Sequence, residues 1–154
     1  MIMATYFSPL GNPEVWSKKP DGYYTIEEWA ALHPAPKPTI DELKTQKKAA
    51  IAAARYEREI AGVTVNGVLI DTGRDSQALI TGAALAAVID SGYSLNWKTT
   101  AGFIHLSAPE IISVAQAVRA HVQSCFDREG ELVALVDAAQ SAEDLDSIVI
   151  TWPV

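Results

Sequence analysis

The spacing of apolar and polar positions changes several times along the chain, and each change marks an element. VTVNGVLI has an alternating VTV and a wholly apolar VLI on either side of Asn66-Gly67, the strongest short-range signal for a hairpin with a two-residue type I′ turn. Pairing across that turn puts Val63, Val65, Val68 and Ile70 on one face. A second alternation, YSLNWKTTAGFIHLS, predicts a hairpin with its loop over Thr99 to Gly102. Leu95, Trp97, Ile104 and Leu106 then share the core face, and Asn96 sits opposite His105 on the other. Between the hairpins, SQALITGAALAAVID is apolar on nearly every side, which predicts a buried helix.

The stretch after the second hairpin predicts a long helix over 108–139. Ser107 caps it, Pro109 is tolerated in its first turn, and Glu110 completes a capping box. Positions 111, 115, 118, 122, 125, 129, 132 and 136 alternate spacings of four and three. They read Ile, Ala, Val, Val, Cys, Glu, Leu, Val, a seam broken once at Glu129. Gly130 is a candidate bend, and the seam is a candidate surface for self-association. SAEDLDSI forms a last turn before the apolar tail VITWPV.

Upstream, TIDELKTQKKAAIAAARYEREIAG predicts a helix with Thr39 as N-cap, Asp41 and Glu42 in its first turn, and Gly62 as its stop. Its apolar stripe is thin: Ile40, Leu43, Ile51, Ala54 and Ile60. Two packings fit, either projection toward a partner through small alanines or a plain helix lying on its own domain. The first 38 residues differ again, with aromatics in short bursts and six of the chain's eight prolines. ATYFSP and EVW are candidate strands. TIEEWAALH reads as a short helix with Thr25 and Glu28 as its capping box, and HPAPKP is a stiff linker. The predicted fold is α+β: an aromatic N-terminal arm (1–38), an Ala-rich connecting helix (39–62), and a compact domain (63–154). In that domain two β-hairpins, forming antiparallel sheet, pack with two main helices.

Composition narrows the chemistry. Apolar residues make up 49% of the 154 positions, enough for a real core. No apolar run approaches the roughly 20 residues that span a bilayer, and the N-terminus lacks the pattern of a signal peptide. One cysteine cannot form an intrachain disulfide, and a reducing cytoplasm is the simplest place of synthesis. The net charge of −7 falls entirely on residues 63–154, which hold four basic and eleven acidic side chains. That sign disfavours a nucleic-acid partner.

Candidate chemistry is sparse. His121 and Cys125 share a helix face, but Cys125 lies on the apolar seam beside no electropositive group, where a free cysteine behaves as a small hydrophobe. No spacing of a metal site and no phosphate-binding glycine loop occurs, so no catalytic residue, cofactor or metal ligand is assigned. Asp71, Arg74, Asp75 and Ser76 form a polar knot between the first hairpin and the helix that follows. A carboxylate pair steered by Arg74 is one reading. The simpler one is structural, with Asp75 or Ser76 as N-cap and Arg74 neutralising the aspartates. Tyr6, Phe7, Trp16, Tyr23, Tyr24 and Trp29 are too many for so short an arm to bury, and aromatics of this kind anchor binding surfaces. They are the candidate partner-binding residues, unless they fold back on the main domain.

RYEREIAGVTVNGVLIDTGRDSQALITGAALAA and NWKTTAGFIHLSAPEIISVAQAVRAHVQSCFDRE, together with the terminal WP, resemble a family. It is the C-terminal domain of unknown function carried by tailed-bacteriophage and prophage proteins, many of them described as tail-fibre assembly proteins. Its hallmarks stand here as Arg55, Tyr56, Gly62, Arg74-Asp75-Ser76-Gln77, Asn96-Trp97-Lys98, Phe103 and Phe126-Asp127. The likeness covers residues 50–154. The arm resembles, in layout, the small aromatic head of tail-fibre assembly chaperones. The resemblance implies non-enzymatic work through a phage tail-fibre or other tail or baseplate protein, with synthesis in the bacterial host cytoplasm and retention in the virion tail left open. The rival readings are a minor tail component, a carbohydrate-binding tip, and a small Cys125/His121 or Asp71/Asp75 enzyme.

Overall fold

The computed structural model describes residues 2–152, so Pro153 and Val154 of the predicted tail lie outside the described residues. The chain forms two compact units, residues 1–38 and 39–154. In the first, β1 (Ala4–Phe7) and β2 (Pro13–Trp16) form an antiparallel hairpin in the register Ala4↔Trp16 to Phe7↔Pro13. Tyr24 exchanges two backbone hydrogen bonds with Phe7, at 2.8 and 2.9 Å, and so closes the free side of β1. Helix α1 (Ile26–Leu32) begins at Thr25, whose hydroxyl accepts from the Glu28 amide while the Glu28 carboxylate accepts from the Thr25 amide. This is the capping box that the sequence predicts.

The second unit runs α2 (Ile40–Glu59), β3 (Val63–Val65), β4 (Val68–Ile70), α3 (Arg74–Ile89), β5 (Ser94–Thr99), β6 (Gly102–Ser107), α4 (Ala108–Ala138) and α5 (Ala142–Ser147). The fold class is α+β, as predicted. Both hairpins have the expected register, with Val65↔Val68 next to the turn in one and Asn96↔His105 in the other. Asn66 and Gly67 take φ of 50° and 79°, the left-handed pair that a type I′ turn requires. The hairpins remain separate two-stranded sheets and do not merge into one.

Helix α4 is the spine. Its first half, from Ala108 to Val118, packs under Ile70, Ile80, Ala83, Ala87 and Leu106. Its last turns contribute Leu132 and Val136 to a second cluster with Ile51 of α2 and Leu145 of α5. Of the two packings open to α2, the structure has the one in which the helix lies along its own domain. Ile51, on the thin stripe, is fully buried. The α4 seam is likewise covered by the chain itself: Ile111, Val118, Val122, Cys125, Leu132 and Val136 are all buried. The helix runs unbroken through Gly130.

The largest departure from the pattern is α3. Only Ile80, Ala83 and Ala87 are buried there, while Leu79, Leu85, Val88 and Ile89 are 66, 62, 70 and 79% exposed. A helix apolar all round was expected to be covered all round. Here α4 covers one side, and within residues 39–152 no described residue buries Leu79, Leu85, Val88 and Ile89 on the other.

Two glycine substitutions separate backbone constraint from helix propensity. Gly62 has φ +91°, and a Cβ there would lie 3.0 Å from the Ile70 carbonyl oxygen. Gly62→Ala is expected to lower the unfolding free energy by more than about 1 kcal/mol. Gly130 lies within a helix with open space around it, so Gly130→Ala should raise stability by about 0.8–1 kcal/mol. Urea titration of the two variants checks both signs.

Candidate functional site

The two apolar clusters on α4 are separated by a polar junction, and it begins with a buried acid. Glu59, the last residue of α2, is 3% exposed. One carboxylate oxygen accepts from Arg55 Nη1 one helical turn earlier. The other accepts from Gln77 Nε2 at 3.1 Å, with Arg74 Nε 4.0 Å away. Arg55 also donates through Nε to Glu129 at 3.0 Å and lies over the Phe126 ring at 4.5 Å. The one polar break in the α4 seam is therefore the counter-charge of an α2 arginine.

The main chain at the end of α2 is satisfied in the same place. Thr72 is fully buried. Its hydroxyl donates to the Glu59 carbonyl at 2.5 Å and accepts from the Gly62 amide at 2.9 Å. His121 Nε2 lies 3.0 and 3.3 Å from the carbonyls of Arg58 and Glu59, so Nε2 carries the proton and donates. The last carbonyls of a helix lack partners within it, and here α4 and the β4–α3 turn supply them. Gln77 Nε2 closes the loop by donating to the Thr72 carbonyl at 2.8 Å. Among the described residues, no buried side-chain nitrogen or oxygen lacks a partner.

The predicted knot flanks this junction and is wired differently from expectation. Asp75 and Ser76 do not cap α3: the N-cap is Gly73, with no side-chain cap bond. Asp71 reaches forward instead, accepting from the Gly73 amide at 2.9 Å and the Ser76 hydroxyl at 2.6 Å. The Ser76 hydroxyl, then the Gly73 amide, hold its carboxyl below the usual range. Arg74 pairs with neither aspartate. It lies over the Tyr56 ring at 5.5 Å and faces Glu59, because a buried carboxylate draws a cation more strongly than a solvated one. Asp75 is exposed in the first turn of α3, where the helix dipole favours its charge.

Cys125 and His121 do share a face of α4, at the wall of an open cleft of about 720 Å³ that Arg58 and Trp152 also line. Burial pushes the Cys125 thiol above its usual value despite Arg58 nearby, and the His121 proton is directed at α2 carbonyls. Both groups serve the packing of α4 on α2.

In the first unit the six aromatic candidates mostly stack on one another. Trp29 is the hub, 5.5 Å from Phe7, 5.5 Å from Tyr24 and 3.7 Å from His33 between ring centroids. Its ring lies 3.0 Å from where a side chain on Gly11 would begin. Tyr6, Phe7, Tyr23, Tyr24 and Trp29 are half-buried, and Trp16 alone is exposed, at 44%. Glu14 accepts from Trp16 Nε1 at 3.3 Å and from the Tyr23 hydroxyl at 3.2 Å. Phe7 and Tyr24 thus pack on Trp29, while Trp16 meets Tyr23 edge-on at 6.4 Å and keeps part of its surface exposed.

Fold and site define an α+β domain whose polar centre joins three elements. The chain belongs to a family described as Domain of unknown function (DUF4376), whose model matches residues 42–149. No curated protein and no solved structure matches it. The matched range contains the whole junction, and the aromatic unit lies outside it. Arg55, Tyr56, Gly62, Arg74, Gln77 and Phe126, quoted above for a resemblance, all converge on the junction. Residue types had not singled out Glu59, Thr72 and Glu129. The signals for Glu59 and Glu129 were an acid one turn after an arginine in ARYERE and an acid on an apolar seam; no pattern marked Thr72.

Two predictions follow the geometry. Asp71, and the N3 acids Glu28, Glu42, Glu110 and Asp144, all have pKa values held low by hydrogen bonds to the folded chain. Groups depressed in this way stabilise the fold above their unfolded pKa, and that contribution is lost as pH falls through the folded value. The urea midpoint should fall between about pH 5 and pH 2, and Asp71→Asn should flatten the fall. In the first unit, Trp29→Ala should abolish the near-ultraviolet circular dichroism of the aromatic stack, whereas Trp16→Ala should leave most of it.

Proposed function

We propose that this protein is a non-enzymatic component of a bacteriophage tail that works by gripping another protein, in tail-fibre assembly or attachment. The phage setting rests on the resemblance of residues 50–154. The mode of action rests on the surface of the first unit. Even after its aromatics pack together, Ile2, Leu10, Val15, Ile26 and Leu32 remain more than half exposed, and Trp16 is exposed as well. A monomeric soluble protein gains nothing from displaying so many apolar side chains on 38 residues, and apolar surface of this kind marks contact with a partner. Among the described residues strand β2 pairs only with β1, so its outer edge has main-chain groups available for an added strand.

In this reading the first unit holds the fibre or tail protein and the family domain is the rigid body behind it. The carboxylates, arginines and histidine at the junction are engaged with the chain's own elements, which supports a reading of action through protein contacts.

Co-expression with the fibre protein of the source genome tests the proposal. The two should co-purify, and Trp16→Ala should weaken capture about tenfold or more, with the fold intact by circular dichroism. Undiminished capture by Trp16→Ala would remove the first unit from the account. Failure to associate with any tail protein, in extracts or on purified particles, would overturn the reading itself. Mass spectrometry of particles then separates a released chaperone from a resident tail component.

A further inference from the structure

The β1–β2 hairpin has two faces, and they are built differently. Phe7 lies on one of them, stacked on Trp29 of α1. In the register of the pair, Tyr6 stands opposite Glu14 and Ala4 opposite Trp16, so Tyr6, Glu14 and Trp16 share the other face. Tyr23 comes up against that face. Its ring meets Trp16 at 6.4 Å between centroids and 76° between planes. Its hydroxyl donates to Glu14 Oε1 at 3.2 Å, and Trp16 Nε1 donates to Glu14 Oε2 at 3.3 Å. A half-buried carboxylate is therefore bonded to the edges of two nearly perpendicular rings.

The charge on Glu14 is more than this arrangement needs. Both donors are neutral, and a glutamine at the same position would accept the same two bonds. Among the described residues Glu14 has no cation within ion-pair distance, whereas Glu28 of the same unit has Lys19. An ionised carboxylate has about four lone-pair sites, and only two are taken. Beside it the Trp16 ring is 44% exposed, and an indole face attracts a cation more strongly than any other aromatic side chain.

We propose that this corner receives an arginine side chain of the partner protein. Guanidinium suits it in three ways. Its planar fork donates to both oxygens of a carboxylate at once. Its plane stacks on an aromatic ring, and it is more weakly hydrated than an ammonium group, so it gives up less on leaving water. The chain carries a net charge of −7, which draws a basic partner at long range. The inference rests on the reading that the first unit grips another protein, and it states what that protein presents: an exposed arginine, seated against Trp16 and Glu14.

Proton NMR of the full chain tests it, following the Trp16 indole N–H, which is assigned by its loss in Trp16→Phe. The probes are the blocked tripeptide Gly-Arg-Gly and its neutral counterpart of the same shape, Gly-citrulline-Gly. The arginine peptide should shift the resonance saturably and the citrulline peptide should not. Glu14→Gln keeps an acceptor for Trp16 and Tyr23 and should weaken the arginine peptide about tenfold, with the near-ultraviolet circular dichroism unchanged. Equal responses to the two peptides, no response to either, or indifference to Glu14→Gln would overturn the proposal. A shift with maltotriose in place of the arginine peptide would overturn it too and assign the corner to a sugar. If Glu14→Gln disturbs the fold, the comparison of the two peptides on the native chain still decides. The peptides need no phage protein, so the two readings separate. Arginine binding with no tail protein captured leaves the corner standing and removes the phage role. Capture of the fibre protein by a chain that ignores the arginine peptide does the reverse.

Discussion

A carboxylate taken out of water must be matched by cations and donors, and Glu59 is the place where this chain meets that demand. The cost of leaving such a charge bare is several kcal/mol, comparable with the whole stability of a small domain. Arg55, Gln77 and Arg74 come to Glu59 from α2 and α3, and Glu129 of α4 ties down Arg55 in turn. The backbone at the same point is held by Thr72 and His121. Three elements that share little apolar contact near the junction are thereby fixed in one arrangement. The apolar clusters on either side, around Ile111 and around Leu132, supply the bulk of the burial.

Much of this fold was legible because it is local. Capping boxes at Thr25 and Ser107, the N-cap at Thr39, the Asn66-Gly67 turn, and the core faces of both hairpins are decided within a few residues. The sequence pattern states them directly. What could not be read was anything decided by which elements meet. The arginine of the polar knot was assigned to the aspartates beside it in sequence, yet Arg74 turns to Glu59, fifteen positions earlier. Glu129 read as a flaw in a seam because its partner lies on another helix. The periodicity of α3 reported correctly that its residues are apolar, but periodicity does not say how many neighbours a helix will have.

The same distinction applies to the aromatics of the first unit. Counting them against the length of the segment implied that they stay exposed, and that argument overlooked stacking. Rings that pack on each other remove area in pairs, and Trp29 serves Phe7, Tyr24 and His33 at once. The exposed surface that remains is made largely of aliphatic residues, such as Leu10 and Val15, which residue type alone had not marked.

The most direct measurement of the central claim is a double-mutant cycle at the junction, Arg55→Met and Glu59→Leu, read by urea unfolding. Arg55→Met leaves buried Glu59 with only Gln77 and Arg74, and Glu59→Leu leaves Arg55 with only Glu129, so each should cost about 3 kcal/mol. The double variant removes both charges together and replaces them with apolar volume, leaving only Glu129, nearer the rim, to rehydrate. It should cost less than the sum by more than about 1 kcal/mol. Additivity within about 0.5 kcal/mol would show that Arg55 and Glu59 do not act as a unit, and the junction would lose its place at the centre of the fold.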